Sequence, residues 1–244
     1  MDNSSAIYKV VIGASAAVAA AALIAYLFRK ETGKSGVKKH LSADEISKTQ
    51  LLRILDEIHV AHEKMRVVTK KLSASILASK LNFEQTYQKV IESQPEDPLE
   101  KYGLSMIDFD RLLEREQYDP EVRQRLTKLM ASPDPATLDS TRDLSLAQVL
   151  DIHRFILKEL QNVLKDVASL SGSYESKTVM IAAQAIVGAH VEGKFGASGD
   201  DVEVATSKLS MPLSGNAEFN SLNLQIQQVM TELMTLSSDH QSKN

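Results

Sequence analysis

The chain has 244 residues, and its 28 basic and 32 acidic side chains give a net charge of −4. A mildly acidic average argues against a nucleic-acid-binding protein. Hydrophobic residues make up 43% of the chain and charged residues 25%, an ordinary globular composition that excludes wholesale disorder and a multi-span membrane protein. The chain contains no cysteine, which excludes disulfide frameworks, thiolate metal sites and cysteine nucleophiles.

A stretch of 19 residues without a charge follows Lys9 and covers residues 10–28. At 1.5 Å per residue, a helix of this length spans about 28 Å, close to the ~30 Å hydrocarbon core of a bilayer. We predict that residues 10–28 form a single transmembrane anchor that contacts the lipid bilayer. The anchor follows a short N-terminal tail over 1–9 and precedes a basic juxtamembrane linker over 29–41.

The alternative for this segment is a cleaved secretory signal peptide, because it contains several Ala-x-Ala sequences. Three features favour an uncleaved signal-anchor. The uncharged stretch is longer than the ~7–15 residues of a usual signal-peptide core, nine residues precede it, and the residues that follow it are strongly basic.

The basic flank also predicts how the chain is oriented in the membrane. Lysine and arginine next to a membrane-spanning helix are retained on the cytoplasmic side, so we expect the N-terminus outside and the body in the cytosol. A short tail, a moderately apolar helix and a basic flank resemble the signal-anchors of mitochondrial outer-membrane proteins. We therefore favour that membrane, with the endoplasmic reticulum and the mitochondrial inner membrane as alternatives. The flank consists of Arg29, Lys30, Lys34, Lys38 and Lys39.

Residues 42–236 read as one all-helical soluble domain. Ser42 and Glu45 form a capping box, which marks a helix start, and no glycine or proline occurs from Val37 to Gln94. This pattern predicts a long helix over 42–93 with a break near 73–79. No stretch alternates apolar and polar residues in the manner of a strand, so the fold class is all-α.

Two further long helices are predicted in the same way. Ser145 and Gln148 form a second capping box, which opens a helix over 145–170, and apolar residues at three- and four-residue steps predict another over 217–236. Long amphipathic helices are typical of a helical bundle or a coiled-coil-like domain. A polar tail over 237–244 follows them.

Shorter helices are predicted between the long ones. Ser105 starts one, and Asp119 followed by proline starts another, because the carboxylate accepts amide hydrogens and proline has none to leave unpaired. Residues 131–144 read as a loop. An apolar and alanine-rich helix over 174–192 suits the centre of a bundle, and a short helix follows over 200–209.

The amphipathic helices carry apolar stripes that need a packing partner. The stripes pack either within the chain or against another protein, and the sequence leaves both open. This candidate helix-packing or partner-binding face consists of Leu51, Ile54, Ile58, Met65, Val68, Leu72, Leu146, Val149, His153, Ile156, Leu160 and Val163.

We find no sequence motif typical of phosphate binding or nucleophilic catalysis in the chain. No phosphate-binding glycine loop follows a strand, and no Gly-x-Ser-x-Gly elbow occurs. One carboxylate–histidine group could hold a metal ion inside a bundle, but it lacks the paired Glu-x-x-His motifs of di-iron proteins, so we interpret its members as structural. That group is Asp56, His59, His62, Glu63 and His153. We predict no catalytic, cofactor-binding or metal-binding residue.

These observations together predict a membrane-anchored, non-enzymatic helical adaptor or scaffold. It would mediate protein–protein interaction at an organelle membrane through its helical faces, as a homo- or hetero-oligomer and without nucleic acid or cofactor. The alternative is an accessory, supernumerary subunit of a larger membrane complex, such as a mitochondrial energy-transducing assembly.

Overall fold

The computed structural model describes residues 42–130, 142–170 and 174–239, and its regular elements are helices with no strand among them. The predicted all-α fold is confirmed for these residues. The predicted anchor over 10–28 and its basic flank lie outside them. Within the described ranges, no helix has both the length and the apolar character that crossing a membrane requires.

The helices of the described residues are numbered in chain order. A 3-10 turn over Ala43–Glu45 precedes the first α-helix. The α-helices are α1 (Lys48–Ser79), α2 (Phe83–Ser93), α3 (Pro98–Lys101), α4 (Met106–Glu116), α5 (Pro120–Met130), α6 (Leu146–Ser169), α7 (Ser176–Phe195), α8 (Gly199–Lys208), α9 (Ser210–Ser214) and α10 (Ala217–Asp239).

The single helix predicted over 42–93 is divided in the structure. The capping box at Ser42 opens only the 3-10 turn, and α1 begins after a second box in which the Gln50 amide donates to Ser47 Oγ at 3.3 Å. The chain leaves α1 at Lys80, whose φ of 48° is left-handed. A third box at Asn82 then starts α2. The break therefore lies just after the predicted 73–79 and is set by capping rather than by glycine or proline.

α1 is shared by two hydrophobic cores. Its N-terminal half packs with the 3-10 turn, α3, α4 and α5 around Phe109 in what we call the smaller core. Its C-terminal half contributes Leu72 and Ile76 to a larger core formed with α2, α6, α7, α8, α9 and α10. The residues of α1 in the smaller core are Leu51, Ile54, Leu55 and Ile58.

Within the larger core, α6 and α10 run parallel. Arg154 near the start of α6 pairs with Glu218 near the start of α10 at 2.7 Å, and residues further along both helices line a common groove. α7 runs antiparallel to α6, because Phe155 stacks on Phe195 and the later Glu159 contacts the earlier His190.

α7 lies at the centre of the larger core, where α1, α2, α6 and α10 all contact it. Small side chains make this possible, since they let neighbouring backbones approach closely. The predicted central position of this alanine-rich helix is confirmed. Its alanines that have no exposed surface are Ala182, Ala183, Ala185 and Ala189.

Gly196 ends α7 in a conformation that favours glycine. Its φ is 62°, and a Cβ there would lie 2.9 Å from Arg142 Nη1, which donates to the carbonyls of Phe195 and Gly196.

We expect Gly196→Ala to lower the free energy of unfolding by about 1–2 kcal/mol, the cost of a left-handed residue with a side chain. Urea unfolding followed by circular dichroism measures this. Gly199→Ala is the control, because nothing lies within 4 Å of its added Cβ, and an equal loss in both variants would contradict the explanation.

Candidate interaction surfaces

The predicted packing face lies inside the chain rather than on its surface. Nine of its residues are buried, and Met65, Val68 and Leu146 are partly buried against the larger core. The first three, Leu51, Ile54 and Ile58, belong to the smaller core. A partner protein would therefore have to contact other residues of the folded chain. The nine buried residues are Leu51, Ile54, Ile58, Leu72, Val149, His153, Ile156, Leu160 and Val163.

The membrane-flanking basic residues Arg29, Lys30, Lys34, Lys38 and Lys39 lie outside the described residues.

The carboxylate–histidine group is dispersed over several environments. Asp56 accepts from Arg125 Nε at 3.0 Å, and Glu63 lies 3.6 Å from Arg66. His153 is buried in the larger core, apart from the histidines of α1. In the part of the chain that the structure describes, no three histidine or carboxylate side chains meet in an arrangement that could hold a metal ion.

His153 is a fully buried imidazole in an apolar environment. Its Nδ1 lies 2.8 Å from the Val149 carbonyl, and its ring packs edge-on against Phe219 with centroids 4.8 Å apart. Its Nε2 has no hydrogen-bond partner among the residues that the structure describes. Burial lowers the pKa of His153, because an apolar environment disfavours the charged ring. In the neutral ring Nδ1–H donates to the Val149 carbonyl, which can only accept.

The lowered pKa of His153 makes folding sensitive to acid. Burial also lowers the pKa of His62 on α1. As the pH falls below the ordinary histidine value of about 6.5, the unfolded chain binds protons that the folded chain does not, so stability falls. We expect His153→Leu to lose less stability than the wild type between about pH 7.5 and about pH 5, which lie on either side of that value, as measured by urea midpoints.

Leu160→Ala is the control for this experiment, because it also lies in the core face of α6 but does not titrate. It should lower stability by the same amount at every pH. Parallel pH profiles for the wild type and His153→Leu would show that His153 does not carry the acid sensitivity.

A groove runs along the surface between the parallel helices α6 and α10. One part of it has a volume of about 480 Å³ and is lined by Leu164, Ala168 and Leu236, with Lys165 and Glu232 beside them. A second part of about 460 Å³ shares Leu164, Lys165 and Glu232 with the first, so the groove is continuous. Its remaining lining residues are Thr231, Thr235, Gln161, Gln225, Gln228 and Val229.

The lining of the groove suits the binding of an amphipathic helix. Apolar side chains form its floor, and exposed amides, hydroxyls and one charge of each sign border it. An amphipathic helix binds such a groove by placing apolar residues on the floor and polar residues along the borders. No histidine lies among the lining residues, and no hydrogen-bonded pair of nucleophile and base occurs among them.

Comparison with known protein families, with curated protein sequences and with solved structures finds no match to this chain.

Proposed function

We propose that the protein is a membrane-anchored, non-enzymatic helical adaptor or scaffold at an organelle membrane. The mitochondrial outer membrane is favoured, with the body facing the cytosol. Support comes from the uncharged segment over 10–28 and from the charge distribution. Residues 1–40 hold six basic and two acidic side chains, a charge of +4, and the remainder holds 22 and 30, a charge of −8. Positive charge thus gathers beside the proposed anchor, as expected for a cytosolic flank.

The α6–α10 groove is the observation that carries the adaptor role. The apolar stripes of the long helices pack inside the chain, so they are not available to a partner. The groove keeps an apolar floor open to solvent between two parallel helices. We propose that a partner protein binds there with an amphipathic helix, whose polar edges meet Lys165 and Glu232.

Photo-crosslinking in intact membranes tests this assignment. A benzoylphenylalanine at position 168, in the groove, should form an adduct of one discrete mass with a partner protein. The same probe at Ala147 is the control, because Ala147 is also an exposed alanine of α6 but lies outside the groove. Thr235→Arg, which places a bulky cation in the groove, should lower the adduct at position 168 about tenfold, equivalent to ~1.4 kcal/mol of binding.

Three outcomes would contradict a partner-binding groove. These are equal adducts at positions 168 and 147, no adduct at position 168, and an adduct that Thr235→Arg does not change. The Thr235→Arg protein must keep its wild-type circular dichroism spectrum, which is expected because Thr235 is exposed.

The second candidate is an accessory subunit of a larger membrane complex. It is favoured by Gly13, Ala17 and Ala21 in the proposed anchor, which are spaced four residues apart and would let another membrane helix approach closely. Native gel electrophoresis distinguishes the two candidates. An accessory subunit migrates entirely in one large assembly, whereas an adaptor also migrates free of it. Substituting Ala17 with leucine should release an accessory subunit and leave an adaptor unchanged.

A further inference from the structure

The exposed side of α1 carries aliphatic residues that the fold leaves uncovered. Val60 is 51% exposed and Val67 is 54% exposed. Seven residues make about two turns, so both side chains lie on one face. Ala74 and Ala78 are exposed on the same face, which therefore extends about 27 Å along the helix axis. We call the strip formed by these four residues the outer face of α1.

Two exposed lysines and one exposed carboxylate, Glu63, border the outer face. Lys64 and Lys71 are exposed, and neither is in an ion pair with the residues that the structure describes. Each acidic residue of α1 is paired with a cation, and the cation beside Glu63 is shared, because Arg66 also lies 2.6 Å from Asp200. These pairs are Asp56–Arg125 at 3.0 Å, Glu57–Lys101 at 2.8 Å and Glu63–Arg66 at 3.6 Å.

The lysines and aliphatic side chains of the outer face suit contact with a membrane surface of anionic lipids. Residues 41–244 carry a net charge of −8, whereas the outer face of α1 has two exposed lysines beside one paired carboxylate. A helix that lies in a membrane interface places aliphatic side chains below the headgroups, and its lysine stems extend so that the ammonium groups reach the phosphates.

We infer that the outer face of α1 lies flat against the anionic surface of the membrane that holds the anchor. This inference rests on the proposed membrane anchor. The 13 residues over 29–41 between the proposed anchor and the 3-10 turn can span up to about 45 Å. That is several times the ~10 Å diameter of a helix, so the connection is long enough for α1 to lie parallel to the bilayer.

Spin labelling of the full chain in vesicles tests the contact. Because the chain has no cysteine, Val67→Cys carries one label. In vesicles of phosphatidylcholine and phosphatidylserine, this label should collide with a water-soluble nickel complex about fivefold less than in pure phosphatidylcholine, since contact with the anionic surface excludes the complex. Met211→Cys is the control, because Met211 is 87% exposed on α9, and its label should stay accessible in both vesicles.

The charge dependence is tested with a double variant. Lys64→Glu with Lys71→Glu, both exposed, should restore nickel access to the Val67→Cys label in the anionic vesicles. A label that is equally accessible in both vesicle types overturns the inference. Protection that persists in the double variant also overturns it, and so does spin–spin coupling between labels, which would identify a second copy as the occupant.

Flotation of the same samples separates this inference from the anchor. Protein that floats with both vesicle types, yet keeps Val67→Cys open to nickel, retains the anchor and loses the contact of α1. Protein that does not float contradicts the anchor, and with it the contact.

Discussion

Phe109→Ala is expected to lower the free energy of unfolding of the smaller core by about 3–5 kcal/mol, the range for removing a buried aromatic ring. Phe109 is 1% exposed and lies on α4 among Leu112, Leu113 and the first half of α1. The smaller core consists of few residues, so it has little other apolar surface with which to fill the resulting cavity. The loss should therefore be concentrated in α3, α4, α5 and the start of α1.

Hydrogen exchange read by mass spectrometry locates this loss. Exchange should accelerate in the helices of the smaller core and stay slow in α6, α7 and α10, which belong to the larger core. Tyr118→Ala is the control, because Tyr118 is 84% exposed in the turn that follows α4. It should change stability by less than about 0.5 kcal/mol. Equal acceleration across both cores would show that they unfold as one unit.

Phe219→Ala is expected to cost a similar ~3–5 kcal/mol, but in the larger core. Phe219 is 2% exposed near the start of α10, and its ring packs against His153 on α6. Removal of the Phe219 ring takes away the aromatic neighbour of the buried His153 imidazole and weakens the packing of α6 against α10. Urea unfolding should show an earlier transition, and exchange should rise first in these two helices.

Leu224→Ala is the matched control on the same helix, since Leu224 is 68% exposed and its truncation leaves no cavity. The double variant Phe109→Ala with Phe219→Ala should show additive losses within about 0.5 kcal/mol, because the two rings lie in separate cores. A coupling energy well above that value would contradict the division into two cores.

Helix starts are the part of the fold that the sequence predicts best, because capping is local. Ser145 with Gln148 opens α6, and Asp119 before proline opens α5, as the spacing indicates. The same rule applied to Asn82 with Gln85 locates the break after α1, a signal that the predicted break near 73–79 does not use. The box at Ser42 opens only a 3-10 turn, since a second cap follows at Ser47.

The surfaces could not be predicted from the sequence, because they depend on which helices become neighbours. The stripe containing Val149 and Ile156 reads equally well as a core or as a partner-binding face, and only the packing of α6 on α7 and α10 makes it a core. The groove at Leu164 lies between α6 and α10, which are far apart in the sequence. The charge along α1 likewise depends on distant residues, since Arg125 and Lys101 pair with Asp56 and Glu57.

Alkaline carbonate extraction combined with protease treatment of intact organelles tests the proposed anchor and orientation most directly. The wild-type chain should stay in the membrane pellet, and protease added outside should digest its body. Ala19→Arg with Leu23→Arg, which places two charges within residues 10–28, should move the protein to the supernatant, because each charge costs about 2.5–3.5 kcal/mol at the bilayer centre. Wild-type protein in the supernatant, or a body protected from protease, would contradict the account.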